Sequence, residues 1–110
     1  MASSISAGTT SATGLVATAD TTGALQLATN NGTVAVTIDT SQNVGIGTAS
    51  PNASAILDSQ STTKGVRFPN MTTTQKTTIS SPAAGLVVFD TTLSKLCVYS
   101  GIAWQTITSV

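Results

Sequence analysis

Residues Val34 to Thr48 read V-A-V-T-I-D-T-S-Q-N-V-G-I-G-T, and the fold turns on this stretch. Val34, Val36 and Ile38 alternate with Ala35 and Thr37, and a period of two places three branched side chains on one strand face. Asp39 to Asn43 then supply a turn, because Asp and Asn tolerate left-handed backbone and bond it with their own side chains. Val44 and Ile46 resume the alternation, with Gly45 and Gly47 on the other face. The pattern predicts a β-hairpin with one flat, side-chain-poor surface. Glycine inside a strand marks a bulge or the close approach of another backbone. A two-stranded ribbon does not hold together alone in water, so something must cover this one.

Upstream, residues 1–14 are small and polar, which predicts an extended N-terminal arm. Leu15 and Val16 open a strand, Asp20 to Gly23 turn, and Leu25 and Leu27 alternate on the return. Asn30-Asn-Gly32 is a hairpin turn, since Asn-Gly accepts the positive φ of a type I′ turn. Residues 15–50 therefore read as a region of short hairpins. Up to Thr48 there are only about ten large apolar side chains, too few to offset the ~1–2 kcal/mol per residue that ordering a backbone costs. The region is expected to fold only with partner chains. Asp20, Asp39 and Asp58 are evenly spaced, which fits either a decayed repeat of hairpins or the ordinary turn chemistry of Asp-Thr.

Downstream, Ser50-Pro51-Asn52 reads as a joint, and residues 51–110 as a small β module. Ile56 and Leu57 begin it, and Asp58 to Thr63 form a polar link. Val66-Arg-Phe68 is a short strand stopped by Pro69. Thr72-Thr-Thr-Gln75 fits a capping box, so a short helix is predicted from about Thr73 to Ile79. Leu86-Val-Val-Phe89 is an unbroken apolar run and predicts a strand buried on both faces. Asp90 to Lys95 turn, Leu96 to Tyr99 return, and Ile102 to Ile107 make the last strand. Phe68, Phe89, Tyr99 and Trp104 all lie here, so this half can hold a core of its own.

Composition narrows the function. Charged residues are 7% of the 110 and the formal net charge is zero, which leaves no electrostatic footprint for nucleic acid or an anionic membrane. No run approaches the roughly 18 apolar residues of a membrane span, and the N-terminus lacks the basic and apolar parts of a signal peptide. There is no histidine, the usual general base near neutral pH. The four Asp residues lie at separate turns, no phosphate cradle or metal-ligand cluster is present, and no cofactor is expected. The reading is of a protein that is not an enzyme. Cys97, between Leu96 and Val98, reads as a small buried hydrophobe. Tyr99 and Trp104, exposed together, would stack on a sugar; core packing is the competing use of the same rings.

Two stretches resemble bacteriophage tail-fibre and related virion fibre and decoration proteins. Ser41-Gln-Asn-Val-Gly-Ile-Gly-Thr48 with Pro51 and Leu57-Asp58 is similar to an N-V-G-I-G-T-x-x-P…L-D signature. Residues Thr63 to Gln75 and Ser81 to Asp90, ending in Leu96, Tyr99, Gly101 and Trp104, resemble a P-A-x-G-L-V-V-Y-D-T…L-x-x-Y-x-G-x-x-W module, with Phe89 in place of the usual Tyr. The resemblance implies homotrimers wound about one axis, in agreement with the shortage of apolar side chains.

The expectation is a mainly β molecule of short antiparallel hairpins with one short helix near 73–80, assembled as an intertwined homotrimer. Val34, Val36, Ile38, Val44, Gly45, Ile46 and Gly47 are the expected trimer-packing positions. Chains of the resembled family run longer, with a tip or chaperone domain beyond these modules. A chain ending at Val110 therefore points to a decoration, cement or short spike protein of the virion, made in the host cytoplasm, with the N-terminal arm either docking on a major capsid or tail protein or reaching across to a neighbouring subunit. The alternative is an adhesin module binding a host-surface glycan through Tyr99 and Trp104.

Overall fold

A computed structural model describes residues 2–7, 15–18 and 20–109. The chain divides into two compact units, Met1–Gly65 and Val66–Val110.

The first unit is one sheet of six strands: β1 (Ser3–Ala7), β2 (Leu15–Thr18), β3 (Leu25–Thr29), β4 (Thr33–Ile38), β5 (Val44–Ile46) and β6 (Leu57–Ser59). Their order across the sheet is β2-β1-β3-β4-β5-β6. The expected turns form. Asn30, Asn31 and Gly32 all take positive φ between β3 and β4, the conformation Asn and Gly accept at least cost. Asp39 closes the next turn, its Oδ1 accepting from the N–H groups of Ser41 and Asn43 at 2.9 Å each.

Three expectations change. The extended arm is in part a sheet strand: β1 pairs antiparallel with β2 and parallel with β3, Ile5 opposite Leu27. Small side chains, Ser and Ala around the single Ile5, hid a strand whose ladder is made by backbone groups. Residues 8–14 of the predicted arm lie outside the described residues. The joint at residues 50–52 is a loop within the first unit, because Leu57 to Ser59 return parallel to β5. Asp58 holds that loop through a 2.8 Å bond from the Asn52 N–H, so the polar link begins in a strand. Finally, the β3–β4 register shifts between Leu27 and Ala28. Val36 and Ile38 stand opposite Leu27 and Leu25, whereas Val34 stands opposite Ala28. An irregularity of this kind re-aims side chains, and Val34 leaves the face of the other two.

The second unit is a four-stranded sheet with one helix: β7 (Asn70–Met71), α1 (Thr73–Thr77), β8 (Val87–Asp90), β9 (Lys95–Tyr99) and β10 (Trp104–Thr106). The order is β10-β9-β8-β7, with β7 parallel to β8 and the other pairs antiparallel. The capping box is complete. Thr72 Oγ1 accepts from the Gln75 N–H at 3.2 Å, and Gln75 Oε1 accepts from the Thr72 N–H at 2.9 Å. The helix is one turn and a half because Thr78 caps it, its N–H shared among the carbonyls of Thr74, Gln75 and Lys76. The whole is mainly β with one short helix, as the alternation and the capping box predict.

Candidate functional site

Strand β8 reads as apolar throughout, yet its burial alternates. Val88 and Asp90 are buried, and Val87 and Phe89 are only half-buried. The expectation of burial on both faces fails for the single chain, because α1 packs on one face of the sheet while Val87 and Phe89 on the other stay partly open to water.

The covered face is built around charge. Lys76, on the last turn of α1, places Nζ 2.8 Å from Asp90 Oδ2, and both side chains are out of water. Thr73 Oγ1 donates to the same carboxylate oxygen at 2.7 Å. The Thr92 and Leu93 N–H groups donate to Oδ1 at 2.9 and 3.0 Å. Burial pushes the Asp90 carboxyl up, but the Lys76 ammonium, the Thr73 hydroxyl and the Leu93 N–H outweigh it and hold the pKa at about 2, against 3.8 ordinarily. The same bond raises Lys76 above 10.5 despite its own burial. Nζ also lies 3.6 Å from the buried Cys97 Sγ and 5.7 Å from the centre of the Trp104 ring. A buried charge survives only when paired and hydrogen-bonded, and here every neighbour contributes.

Tyr99 and Trp104 belong to this face. They are directly paired across β9 and β10. Their rings meet edge to face, 5.4 Å apart at 66°, and both are half-buried. The Tyr99 hydroxyl donates to the Ile102 carbonyl at 3.2 Å. The two rings are thus turned on each other and on Lys76, an arrangement that packs the unit.

The other face is largely apolar, with Asn70 and Gln105 on its two edge strands. Val87 stands opposite Val98, and Phe89 opposite Leu96. The Ile107 N–H donates to the Leu96 carbonyl at 2.8 Å, extending the β9–β10 ladder, so Ile107 joins Leu96 on this face. Ile107 is exposed, and so are Phe68 and Val66 at the β7 side. Between the two sides lies a notch of about 330 Å³ lined by Val66, Arg67, Phe68, Asn70, Phe89 and Leu96.

The first unit repeats the theme. Paired positions across its strands place Ile5, Leu25, Leu27, Val36, Ile38, Val44, Ile46 and Leu57 on one face. Five of these, Ile5, Leu25, Leu27, Ile46 and Leu57, are exposed. The opposite face carries Gln26, Thr37, Gly45 and Asp58. Thr37 is buried and accepts from Gln26 Nε2 at 3.3 Å. Ala28, Val88 and Cys97 are the buried apolar side chains among the described residues.

Of the expected packing positions, Val36, Ile38, Val44 and Ile46 share this apolar face, and Val34 does not. Gly45 and Gly47 serve the chain's own loops. A Cβ on Gly45 would lie 2.5 Å from the Thr48 carbonyl oxygen. One on Gly47, at φ +76°, would collide with that of Gln60. The close approach expected of neighbouring chains is taken up within the chain, because the 48–51 loop crosses Gly45 and Gln60 returns beside Gly47. Sequence reasoning missed the Lys76–Asp90 pair; its one local sign was an Asp ending an otherwise apolar strand.

Among the described residues no group of His, Cys, Asp or Glu is placed to hold a metal ion, and no helix is long and apolar enough to cross a membrane.

A model described as a phage tail like trimerisation region matches residues 45–110. The chain belongs to this family. The match takes in all of β5 but Val44, then β6 and the whole second unit. This trimerisation region is a phage tail-type structural protein that associates with itself as a trimer. No curated protein and no solved structure matches the chain.

Proposed function

We propose that the chain is a mechanical part of a phage tail: a homotrimeric segment of a tail fibre or short spike that holds three chains in register. The observation that carries this reading is the apolar sheet face that each unit leaves uncovered, in a chain whose family match is to a trimerisation region. A lone copy would hold those faces against water, at roughly 25 cal/mol for each Å² of apolar surface. Three copies remove them from water together.

The role needs no catalysis and no cofactor. Its partners are two further copies and the tail protein on which the trimer sits. A tail location is preferred to capsid decoration because the matching family is tail-type. Sedimentation of the purified chain at micromolar concentration tests the assembly; a trimer is expected, and a folded monomer would overturn it. A density map of the intact particle tests the place: density for this chain along the tail supports a fibre, and density on the capsid shell refutes it.

A further inference from the structure

We propose that the second unit meets its sister copies through one defined surface, the stripe Phe68–Phe89–Leu96–Ile107 with Val87 and Val98 beside it, so that three such sheets face a common axis and their helices point outward. The inference rests on the trimer reading above and assigns it a surface. Four observations carry it. First, the row Phe89–Leu96–Ile107 runs from β8 across β9 to just past β10, with Phe68 just before β7; no charged side chain lies in the paired rows, whose members on β7 and β10 are the neutral Asn70 and Gln105. Second, the other face of the same sheet is already satisfied, by α1, the Lys76–Asp90 pair and the Tyr99–Trp104 rings. Only one side therefore remains to be covered. Third, the notch beside Phe68 and Phe89 has apolar walls and room for side chains from a neighbour. Fourth, the matching trimerisation region spans every strand of this sheet, which makes a second copy the occupant. Asn70 and Arg67 border the notch on the β7 side and supply the polar rim usual at interfaces.

The test is charge placed on either side of the sheet. Leu96→Lys and Ile107→Lys put an ammonium into the stripe; Thr77→Lys puts one on the exposed side of α1. In sedimentation at micromolar concentration, Leu96→Lys and Ile107→Lys are expected to run as monomers and Thr77→Lys as a trimer. Trp104 emission reports the covered face, and it should stay at the wild-type wavelength in all three. Should Leu96→Lys lose that emission, Ile107→Lys, at the exposed end of the stripe, decides the matter. A trimeric Ile107→Lys, or a monomeric Thr77→Lys, overturns the assignment. A wild-type chain that is itself monomeric overturns the underlying reading instead.

Discussion

Lys76 and Asp90 form an ion pair 2.8 Å long inside a unit of 45 residues that has almost no other interior. The pair joins the only helix among the described residues to the end of β8, and Thr73, Thr92 and Leu93 complete its hydrogen bonds. Removing one partner strands the other charge away from water. Lys76→Met is therefore expected to lower the melting temperature of the second unit by on the order of 10 °C or more, followed by near-ultraviolet circular dichroism of Trp104. The double variant Lys76→Met/Asp90→Leu should recover most of the loss, because it leaves no buried charge.

Acid should act through the same pair. The Asp90 pKa is held at about 2 in the fold against 3.8 ordinarily, so its contribution is present above pH 3.8 and lost as the pH falls from there towards 2. Lys76 is raised above 10.5, so its contribution is complete below that value and is lost only as the pH climbs through the raised pKa. Unfolding by denaturant across pH 2 to 8, with Trp104 as the probe, should show stability rising between about pH 2 and pH 4 and then levelling. The double variant should lack most of this rise.

The capping box predicts a smaller effect at an exposed position. Thr72→Ala removes the acceptor for the Gln75 N–H and should cost about 1 kcal/mol. Thr72→Ser should cost little. Equilibrium denaturation of the two variants side by side measures the difference.

Glycines that share a motif should differ from one that does not. Gly47→Ala must move the Gln60 backbone and occupy positive φ, and Gly45→Ala must move Thr48. Both should sharply reduce the yield of folded protein. Gly65→Ala, with open space around its Cβ position, should be neutral. Soluble expression and melting temperature of the three variants separate these outcomes.

On the first unit, Val36 and Ile46 face each other across β4 and β5 on the uncovered side. Ile46→Lys should weaken the trimer, seen as a melting temperature that becomes more dependent on protein concentration. Thr33→Lys, exposed at the start of β4, should not.

How much of this was written in the sequence follows from the range of each interaction. Turns and caps are local, so Asn30 to Gly32, Asp39 and the Thr72–Gln75 box are legible from four or five residues. The alternation of Leu25 with Leu27 and of Val36 with Ile38 is likewise local. Asp90 looks like Asp39, since both bond backbone N–H groups a few residues on. Only α1, folding back from fourteen positions upstream, makes the first a buried ion and leaves the second in an ordinary turn. Val34 obeys the period and still leaves the face, because the register shift beside Ala28 belongs to the pairing of two strands. Strand β1 was invisible for the opposite reason: all its side chains but Ile5 are small, and its place comes from main-chain bonds to strands on either side. The uncovered faces were legible only as a deficit, and which chain fills it is not a property of one copy.

The end strand β10 carries Trp104, Gln105 and Thr106, with no charge and no proline. Natural sheets guard such rims with lysine or proline, since an unguarded rim accepts any passing strand. Under the trimer reading proposed above, the guard is the quaternary structure. Synthesis that outruns encounter between siblings should therefore send the polypeptide into insoluble, cross-β deposits, and the ratio of soluble to deposited material should follow expression rate as closely as it follows sequence.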